Sequence, residues 1–166
     1  MDTVRLTRAC EEALPHVLSL TEHLVNMDSG SEDIPALRAK AEELEKLFST
    51  IGGRVELRPA DPPRQETRNV IAVFHGTGKA KILLLTHYDT VFPSGEAKAR
   101  PFRIDGDKAR GPGVADMQAS IAMVLAGIPI FRTLCEESFH TLTVFCRNGS
   151  GGRFRRVRHG RHCRHV

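Results

Sequence analysis

The sequence predicts an α/β fold in which one open sheet has helices on both faces, giving three layers. The first third of the chain places apolar residues at helical spacing, whereas residues 54–86 contain short extended apolar runs. A long apolar segment at residues 117–134 then precedes a last strand-like run at residues 141–146. Helices and strands in this order are typical of an open α/β sheet.

Two helices are predicted at the start of the chain. The apolar residues of the first recur near helical spacing and are Leu14, Val17, Leu18, Leu20, Leu24 and Val25. Those of the second step by three or four positions and are Leu37, Ala41, Leu44, Phe48 and Ile51. Asp33 is placed to cap the second helix, and Gly52-Gly53 is placed to end it.

The remaining elements are mostly strands. Extended apolar runs predict strands at residues 54–57, 69–74, 81–86 and 141–146. The run at residues 81–86 is apolar on both faces, so we expect it to be buried. Residues 102–110 predict a hairpin that turns at Asp105-Gly106. Residues 117–134 predict a buried helix that ends or kinks near Pro129.

Composition places the chain among single-domain globular proteins and excludes collagen, coiled-coil and wholly disordered classes. It has 166 residues, 40% of them apolar and 27% charged. Residues 147–166, called the tail below, hold seven arginines and no acid, which leaves 17 basic against 20 acidic residues in the first 146. The basicity therefore belongs to the tail rather than to a face of the fold.

Cysteine usage and hydropathy indicate a reduced, unanchored protein. Four cysteines are scattered without a CxxC pair, which favours free thiols over disulfides. The start of the chain lacks a signal-peptide pattern, and no run of about 18 apolar residues is present. We therefore expect a cytoplasmic protein without a membrane partner, whose oligomeric state the sequence leaves open.

The candidate functional residues follow the third predicted strand. Ligands of open α/β sheets gather at the carboxyl ends of the strands, and His87 and Asp89 lie immediately after residue 86. Asp116 follows a glycine-rich turn that leads into the buried helix. Two structural alternatives stay open here: His87 and Asp89 as an ordinary histidine–carboxylate pair, and Asp116 as a helix N-cap.

Four segments together resemble the zinc-dependent peptidase and deacylase family that contains glutamate carboxypeptidase (carboxypeptidase G-like enzymes), acetylornithine deacetylase and succinyl-diaminopimelate desuccinylase. They are residues 25–31 (VNMDSGS), 69–78 (NVIAVFHGTG), 83–91 (LLLTHYDTV) and 101–116 (PFRIDGDKARGPGVAD). The resemblance extends from about residue 13 to residue 146, and the glutamate carboxypeptidase branch is the most similar. Gln118-Ala119-Ser120 stands where the family usually has a lysine followed by glycines.

The resemblance implies a set of site residues and a reaction. His87 would bind one zinc, Asp116 would bridge two zincs, and Asp89 would be the catalytic-site carboxylate that orients the His87 ring. Imidazole and carboxylate are good zinc ligands, and a ligating histidine needs an acceptor for its other nitrogen. The implied reaction is hydrolysis of an amide bond next to a terminal carboxylate, with a small peptide or acyl-amino acid as substrate.

The tail departs from this family. A pair of glutamates, one the general base and one a ligand, would follow the fourth strand, but residues 147–151 read RNGSG. We interpret residues 1–146 as the N-terminal part of a truncated metallopeptidase catalytic domain and the tail as a basic, disordered segment that results from a frameshift. The chain is then expected to be inactive, to bind zinc weakly or not at all, and to have low solubility through exposed strand edges.

Three alternatives remain. Residues 151–158 resemble Arg/Gly-rich single-strand binders, although one phenylalanine makes a poor stacking platform, so nucleic acid is not the favoured partner. The tail could chelate a soft metal ion through His159, His162, Cys163 and His165. The domain could also be a non-catalytic module that binds a carboxylate ligand.

Overall fold

A computed structural model describes residues 3–62, 64–134 and 138–148. Its helices are α1 (Thr3–Val25), α2 (Ile34–Thr50), the short α3 (Glu96–Ala99) and α4 (Ala119–Leu134), the last preceded by a helical turn at Val114–Gln118. Its strands are β1 (Arg54–Pro59), β2 (Arg68–His75), β3 (Ala80–His87), β4 (Arg103–Asp105), β5 (Lys108–Arg110) and β6 (Phe139–Arg147).

The main sheet is mixed and has the strand order β1-β2-β6-β3. β1 and β6 both run antiparallel to β2, whereas β3 runs parallel to β6. β6, the last strand of the described residues, therefore lies inside the sheet, between two strands that precede it. β4 and β5 form a separate hairpin. The predicted α/β class is confirmed.

One hydrophobic core lies on one face of the main sheet. α1, α2 and α4 all contribute to it, together with the inward side chains of β2 and β6; its fully buried members include Leu24, Leu37, Leu44, Phe48, Val70, Phe74, Ile121, Phe139 and Val144. Within the described ranges the long helices thus all pack on the same face of the main sheet. The helical layer predicted for the other face is not formed by these residues.

This one-sided packing corrects the prediction that the third strand is buried on both faces. Ile82 and Leu84 of β3 pack on the core, but the side chains between them, Leu83 and Leu85, are each 60% exposed. Successive side chains of a strand alternate between the two faces of a sheet. The apolar run was therefore predicted correctly as a strand. The prediction that both of its faces are covered was wrong.

Local signals in the sequence placed the cap and the end of α2, whereas the hairpin turn lies one residue later than predicted and α4 runs past its predicted end. The Asp33 carboxylate accepts a hydrogen bond from the backbone N–H of Ala36 at 3.0 Å and so caps α2, and Gly52 follows its end with a φ of +84°. The predicted hairpin is present, and its turn residues are Gly106-Asp107. α4 does not end near Pro129 but continues to Leu134.

Segment Val114–Leu134 is the one stretch of the described residues that is long and apolar enough to cross a membrane. Its buried side chains include Ile121, Ala122 and Leu125, which belong to the core cluster. A core helix of a globular protein has the same composition. Packing against α1 and the sheet accounts for the apolar character of this buried face, whereas other side chains of α4, such as Met123 at 55% exposure, lie outside it.

Lys40 is a buried charge at the junction of α1 and α2. Its side chain is fully buried, and its Nζ donates hydrogen bonds to the carbonyl oxygens of Leu24, in the last turn of α1, and of Met27, two residues past its end. The last carbonyls of a helix lack partners within it, so the contact with Leu24 makes the lysine a C-terminal cap. Removal from water lowers the pKa of Lys40 to about 7.

We predict that Lys40 makes stability depend on pH. Its pKa is about 7 in the folded chain and about 10.4 in an unfolded one, so the unfolded state binds more protons between these values. The free energy of unfolding therefore rises with pH in this window, by at most about 1.4 kcal/mol per pH unit. Lys40→Met removes this pH dependence. The loss of the hydrogen bonds of Lys40 changes the free energy of unfolding by the same amount at every pH.

Urea unfolding at pH 7, 8 and 9 tests this expectation. The stability of Lys40→Met relative to the native chain should be highest at pH 7 and should fall as the pH rises. Lys46→Met is the matched control, because the Lys46 side chain is 74% exposed. Parallel pH profiles for the native chain and Lys40→Met would contradict the prediction.

Gly78 marks a close contact between the starts of β3 and β6. A Cβ at this position would lie 1.8 Å from the backbone oxygen of Ser138, and the Gly78 N–H donates to the Phe139 carbonyl at 2.8 Å. Gly78→Ala should therefore cost more than about 2 kcal/mol, because backbone must shift. Gly127→Ala in α4 meets no atom within 4 Å and should stabilise by about 0.5–1 kcal/mol. Thermal unfolding of both variants is the measurement, and equal melting temperatures would contradict the prediction.

Candidate metal centre

The parallel pairing of β3 with β6 fixes the position of His87. His87 lies opposite Arg147 in the register, and the next N–H, that of Tyr88, donates to the Arg147 carbonyl at 3.2 Å. The Tyr88 side chain is fully buried, and its hydroxyl donates to the Arg68 carbonyl. Burial raises the pKa of Tyr88 above its ordinary value. Tyr88 thus anchors the chain between the two candidate residues His87 and Asp89.

His87 and Asp89 form a close pair at this edge of the sheet. Nδ1 of His87 lies 3.1 Å from the Asp89 carbonyl oxygen and 3.4 Å from Oδ1 of the Asp89 carboxylate. The Asp89 side chain is completely buried, whereas that of His87 is 29% exposed. Both oxygens can accept a hydrogen bond from Nδ1–H, and this tautomer leaves the Nε2 lone pair available to a metal ion.

Asp116 reaches the same place from the glycine-rich turn. Its Oδ1 lies 2.9 Å from Nε2 of His87, and its side chain is 85% exposed. Gly113, with a φ of +70°, begins the turn, and a Cβ there would lie 2.5 Å from Cγ2 of Thr90. Asp116 therefore faces His87 rather than capping the helix, and the close approach of the turn to Thr90 requires a glycine.

Two further contacts join the turn to the end of β3. Nε2 of Gln118 donates to the Tyr88 carbonyl at 2.9 Å, and the His87 N–H points at Sδ of Met117 at 3.3 Å. Gln118 is 1% exposed. The sequence marked Gln118 only as a departure from the family pattern, because its hydrogen bond spans 30 residues and no local spacing reveals it.

A third segment, the loop after α1, lies against the site. The Ser31 hydroxyl donates to Oδ2 of Asp89 at 2.7 Å, and the Ser31 N–H donates to the Thr90 carbonyl at 2.8 Å. Ser31 belongs to one of the four segments that resemble the family, but no role for it is evident from the sequence. A serine 58 positions before its partner leaves no local signal.

The arrangement fits two ligands of a zinc ion. An imidazole nitrogen and a carboxylate oxygen face each other at a cavity of about 300 Å³ that is also lined by Asp89, Phe92 and Gly111. Within the part of the chain that the structure describes, no group of three or more His, Cys, Asp or Glu side chains is placed to hold a metal. Among the described residues, His87 and Asp116 thus present two donor atoms, fewer than the about three protein ligands that a catalytic zinc takes.

The described chain continues slightly past the predicted boundary at residue 146. β6 extends to Arg147, and the buried Asn148 donates its N–H to Oδ1 of Asn69 at 3.1 Å. Cys10 and Cys146 are free thiols, as expected. Residues 149–166, and the predictions made for them, lie outside the described residues.

Comparison with known proteins shows the relationship of this chain. It is 31% identical over 139 residues to carboxypeptidase G2 of Pseudomonas sp. (strain RS-16), a match that covers 84% of this chain and 33% of that protein. The chain thus spans about a third of the length of the curated relative. No family model matches the chain.

Solved structures share the fold. The di-peptidase Dug1p of Saccharomyces cerevisiae aligns with a TM-score of 0.70 at 16% identity, covering 87% of this chain and 34% of that one. The M20 family metallo-carboxypeptidase Sso-CP2 of Sulfolobus solfataricus aligns with a TM-score of 0.67 at 16% identity, covering 80% and 30%. The predicted family is confirmed: this chain is a homologue of carboxypeptidase G2, with structural neighbours in the M20 metallopeptidase family.

Proposed function

We propose that this chain holds part of the zinc site of an amide-bond hydrolase, with His87 and Asp116 as metal ligands and Asp89 as the carboxylate that orients the His87 ring. The observation that supports this most is the 2.9 Å approach of His87 Nε2 to Asp116 Oδ1. The two residues come from a strand end and a turn that are 29 positions apart. They meet at the carboxyl end of β3, where ligands of α/β sheets bind.

The solvent exposure of the three residues agrees with the proposed roles, since the orienting carboxylate is buried and the proposed metal ligands are accessible. Asp89 is fully buried and faces Nδ1 of His87, so it can accept a hydrogen bond from Nδ1–H and hold the ring with Nε2 toward a metal ion. Asp116 is largely exposed, which leaves its carboxylate accessible to an ion. A bound zinc would supply Lewis acidity toward a carbonyl oxygen and a hydroxide at neutral pH.

We propose a small peptide or an acyl-amino acid with a terminal carboxylate as the substrate of the complete enzyme. The relative is named a carboxypeptidase, and the neighbours include a di-peptidase and a metallo-carboxypeptidase. In this proposal residues 1–146 are part of a catalytic domain, the tail is a separate basic segment, and the protein is cytoplasmic.

We also propose that the 166-residue chain is not an active hydrolase. A catalytic zinc takes about three protein ligands and a water, and two zincs that share one bridging ligand need more. The described residues offer two donors, His87 and Asp116. Loss of a general base alone costs about a hundred- to ten-thousandfold in rate. Zinc binding at His87 is then expected to be weak and hydrolysis absent.

We predict that zinc perturbs the His87 ring and that this needs Asp116. Zinc is titrated into the 15N- and 13C-labelled full chain, and the histidine ring signals are followed by NMR, with His87→Ala identifying the signal of interest. Site-resolved detection separates His87 from the histidines of the tail. Asp116→Asn should weaken the response at His87 about tenfold or more, because one of two ligands becomes neutral.

Asp105→Asn is the matched control for this titration. Asp105 pairs with Arg110 in the β4–β5 hairpin and does not contact His87. A His87 ring that zinc leaves unchanged, or that responds equally in Asp116→Asn, would contradict the proposed ligands. Zinc-dependent hydrolysis of an acyl-glutamate by the purified chain, abolished by His87→Ala, would contradict the proposed inactivity.

A further inference from the structure

Ser31 contacts the candidate site from a segment far away in sequence. Its hydroxyl oxygen lies 2.7 Å from Oδ2 of Asp89 and 2.9 Å from the carbonyl oxygen of Thr90. A serine hydroxyl has one hydrogen to donate. The carboxylate is both the nearer and the charged acceptor, so the stronger hydrogen bond is the one to Asp89.

The backbone around Ser31 is held in place by its own hydrogen bonds. The Ser31 N–H donates to the Thr90 carbonyl, and the Thr90 N–H donates to the Ser29 carbonyl, each at 2.8 Å. Gly30 lies between them, and a Cβ there would lie 2.5 Å from the Phe92 carbonyl oxygen. The segment therefore reaches the end of β3 closely enough to place the serine hydroxyl against Asp89.

Further contacts fix the rest of this loop. The Asp28 carboxylate accepts hydrogen bonds from the N–H groups of Gly95 and Ala97 at 2.8 and 3.1 Å. Nζ of Lys40 donates to the Leu24 and Met27 carbonyls at the same start of the loop, and at its other end the Asp33 carboxylate accepts from the Ala36 N–H. The hydroxyl of Ser31 thus projects from a segment that is held at both ends.

The Asp89 carboxylate has one oxygen directed at each neighbour. Oδ2 accepts from Ser31, and Oδ1 lies 3.4 Å from Nδ1 of His87. Rotation about the Cβ–Cγ bond of Asp89 would move both oxygens away from their present neighbours. The hydrogen bond from Ser31 to Oδ2 opposes that rotation. Because the side chain is completely buried, the loss of a hydrogen bond to the carboxylate is costly, and bulk water does not reach the carboxylate to replace it.

We propose that Ser31 is a positioning residue of the metal centre. Its hydroxyl holds the Asp89 carboxylate in the rotation that faces Nδ1 of His87, and thereby keeps Nε2 of His87 directed at Asp116. This inference rests on the proposed function, because it assigns Ser31 to the same site. It adds to that site a residue from the loop between α1 and α2.

The test uses three variants of the full chain. Ser31→Ala removes the hydroxyl, and Ser31→Thr retains one. Ser94→Ala is the control. The Ser94 hydroxyl donates to the Asp33 carboxylate, so this substitution also removes a serine–carboxylate hydrogen bond, but one that does not involve Asp89. Backbone amide spectra of each variant establish that it is folded.

Two measurements are made on each variant. The first is the 13Cγ chemical shift of Asp89 in the metal-free chain, which reports the hydrogen bonding of this carboxylate. The second is the dissociation constant for zinc, read from the His87 ring signals. Removal of an outer partner of a metal ligand costs about 10- to 100-fold in affinity, and Ser31 acts through one further residue, so Ser31→Ala should weaken binding about 3- to 10-fold.

The expected result is a shifted Asp89 signal and weaker zinc binding in Ser31→Ala alone, with Ser31→Thr and Ser94→Ala within about twofold of the native chain. Native-strength zinc binding in Ser31→Ala, or an equal loss in Ser94→Ala, would overturn the inference and leave the proposed function intact. A native chain whose His87 ring does not respond to zinc would overturn both, even if the Asp89 signal moves, since the serine would then have a structural role only.

Discussion

The candidate site depends on the parallel pairing of β3 with β6. β6 occupies the inside of the sheet, bonded to β2 on one side and to β3 on the other, and its inward side chains Leu142, Val144 and Cys146 are buried in the core. This core contact fixes β6, and the hydrogen-bond register then fixes where β3 ends. His87 lies opposite Arg147, at the carboxyl edge of the sheet, for that reason.

Three segments that are distant in sequence meet at this edge. The end of β3 supplies His87 and Asp89, the glycine-rich turn supplies Asp116, and the loop after α1 supplies Ser31. The loop is attached to the end of β3 by backbone hydrogen bonds with Thr90. The turn is attached by the close packing of Gly113 against Thr90 and by the hydrogen bond from Gln118 to the Tyr88 carbonyl. A buried carboxylate such as Asp89 is costly without partners, and this convergence provides them.

Helix spacing, helix caps and turns could be predicted from the sequence because each is determined by residues that are close together in the chain. The apolar spacing of α2, its Asp33 cap and the turn at Gly106 are each decided by neighbours within one or two turns of chain. The three predicted site residues, His87, Asp89 and Asp116, do come together. They were found because motifs placed them at a strand end and a glycine turn, and their roles as ligands stay proposals.

Other features depend on contacts between distant segments and were not predictable in the same way. The insertion of β6 between β2 and β3, the exposure of Leu83 and Leu85, and the hydrogen bond from Ser31 to Asp89 are set by packing rather than by periodicity. Lys40 lies beside the apolar stripe of α2 and is fully buried, although lysine is among the residue types least often buried. Its partners, two carbonyls at and just past the end of α1, are visible only in the folded chain.

The most direct test of the account is anomalous X-ray diffraction, at the zinc absorption edge, from crystals of the full chain soaked in zinc. The account predicts an anomalous peak within bonding distance of both His87 Nε2 and Asp116 Oδ1, about 2.0–2.2 Å from each, and loss of that peak in Asp116→Asn. Zinc peaks found only elsewhere on the chain, with the direct hydrogen bond between His87 and Asp116 intact, would contradict it.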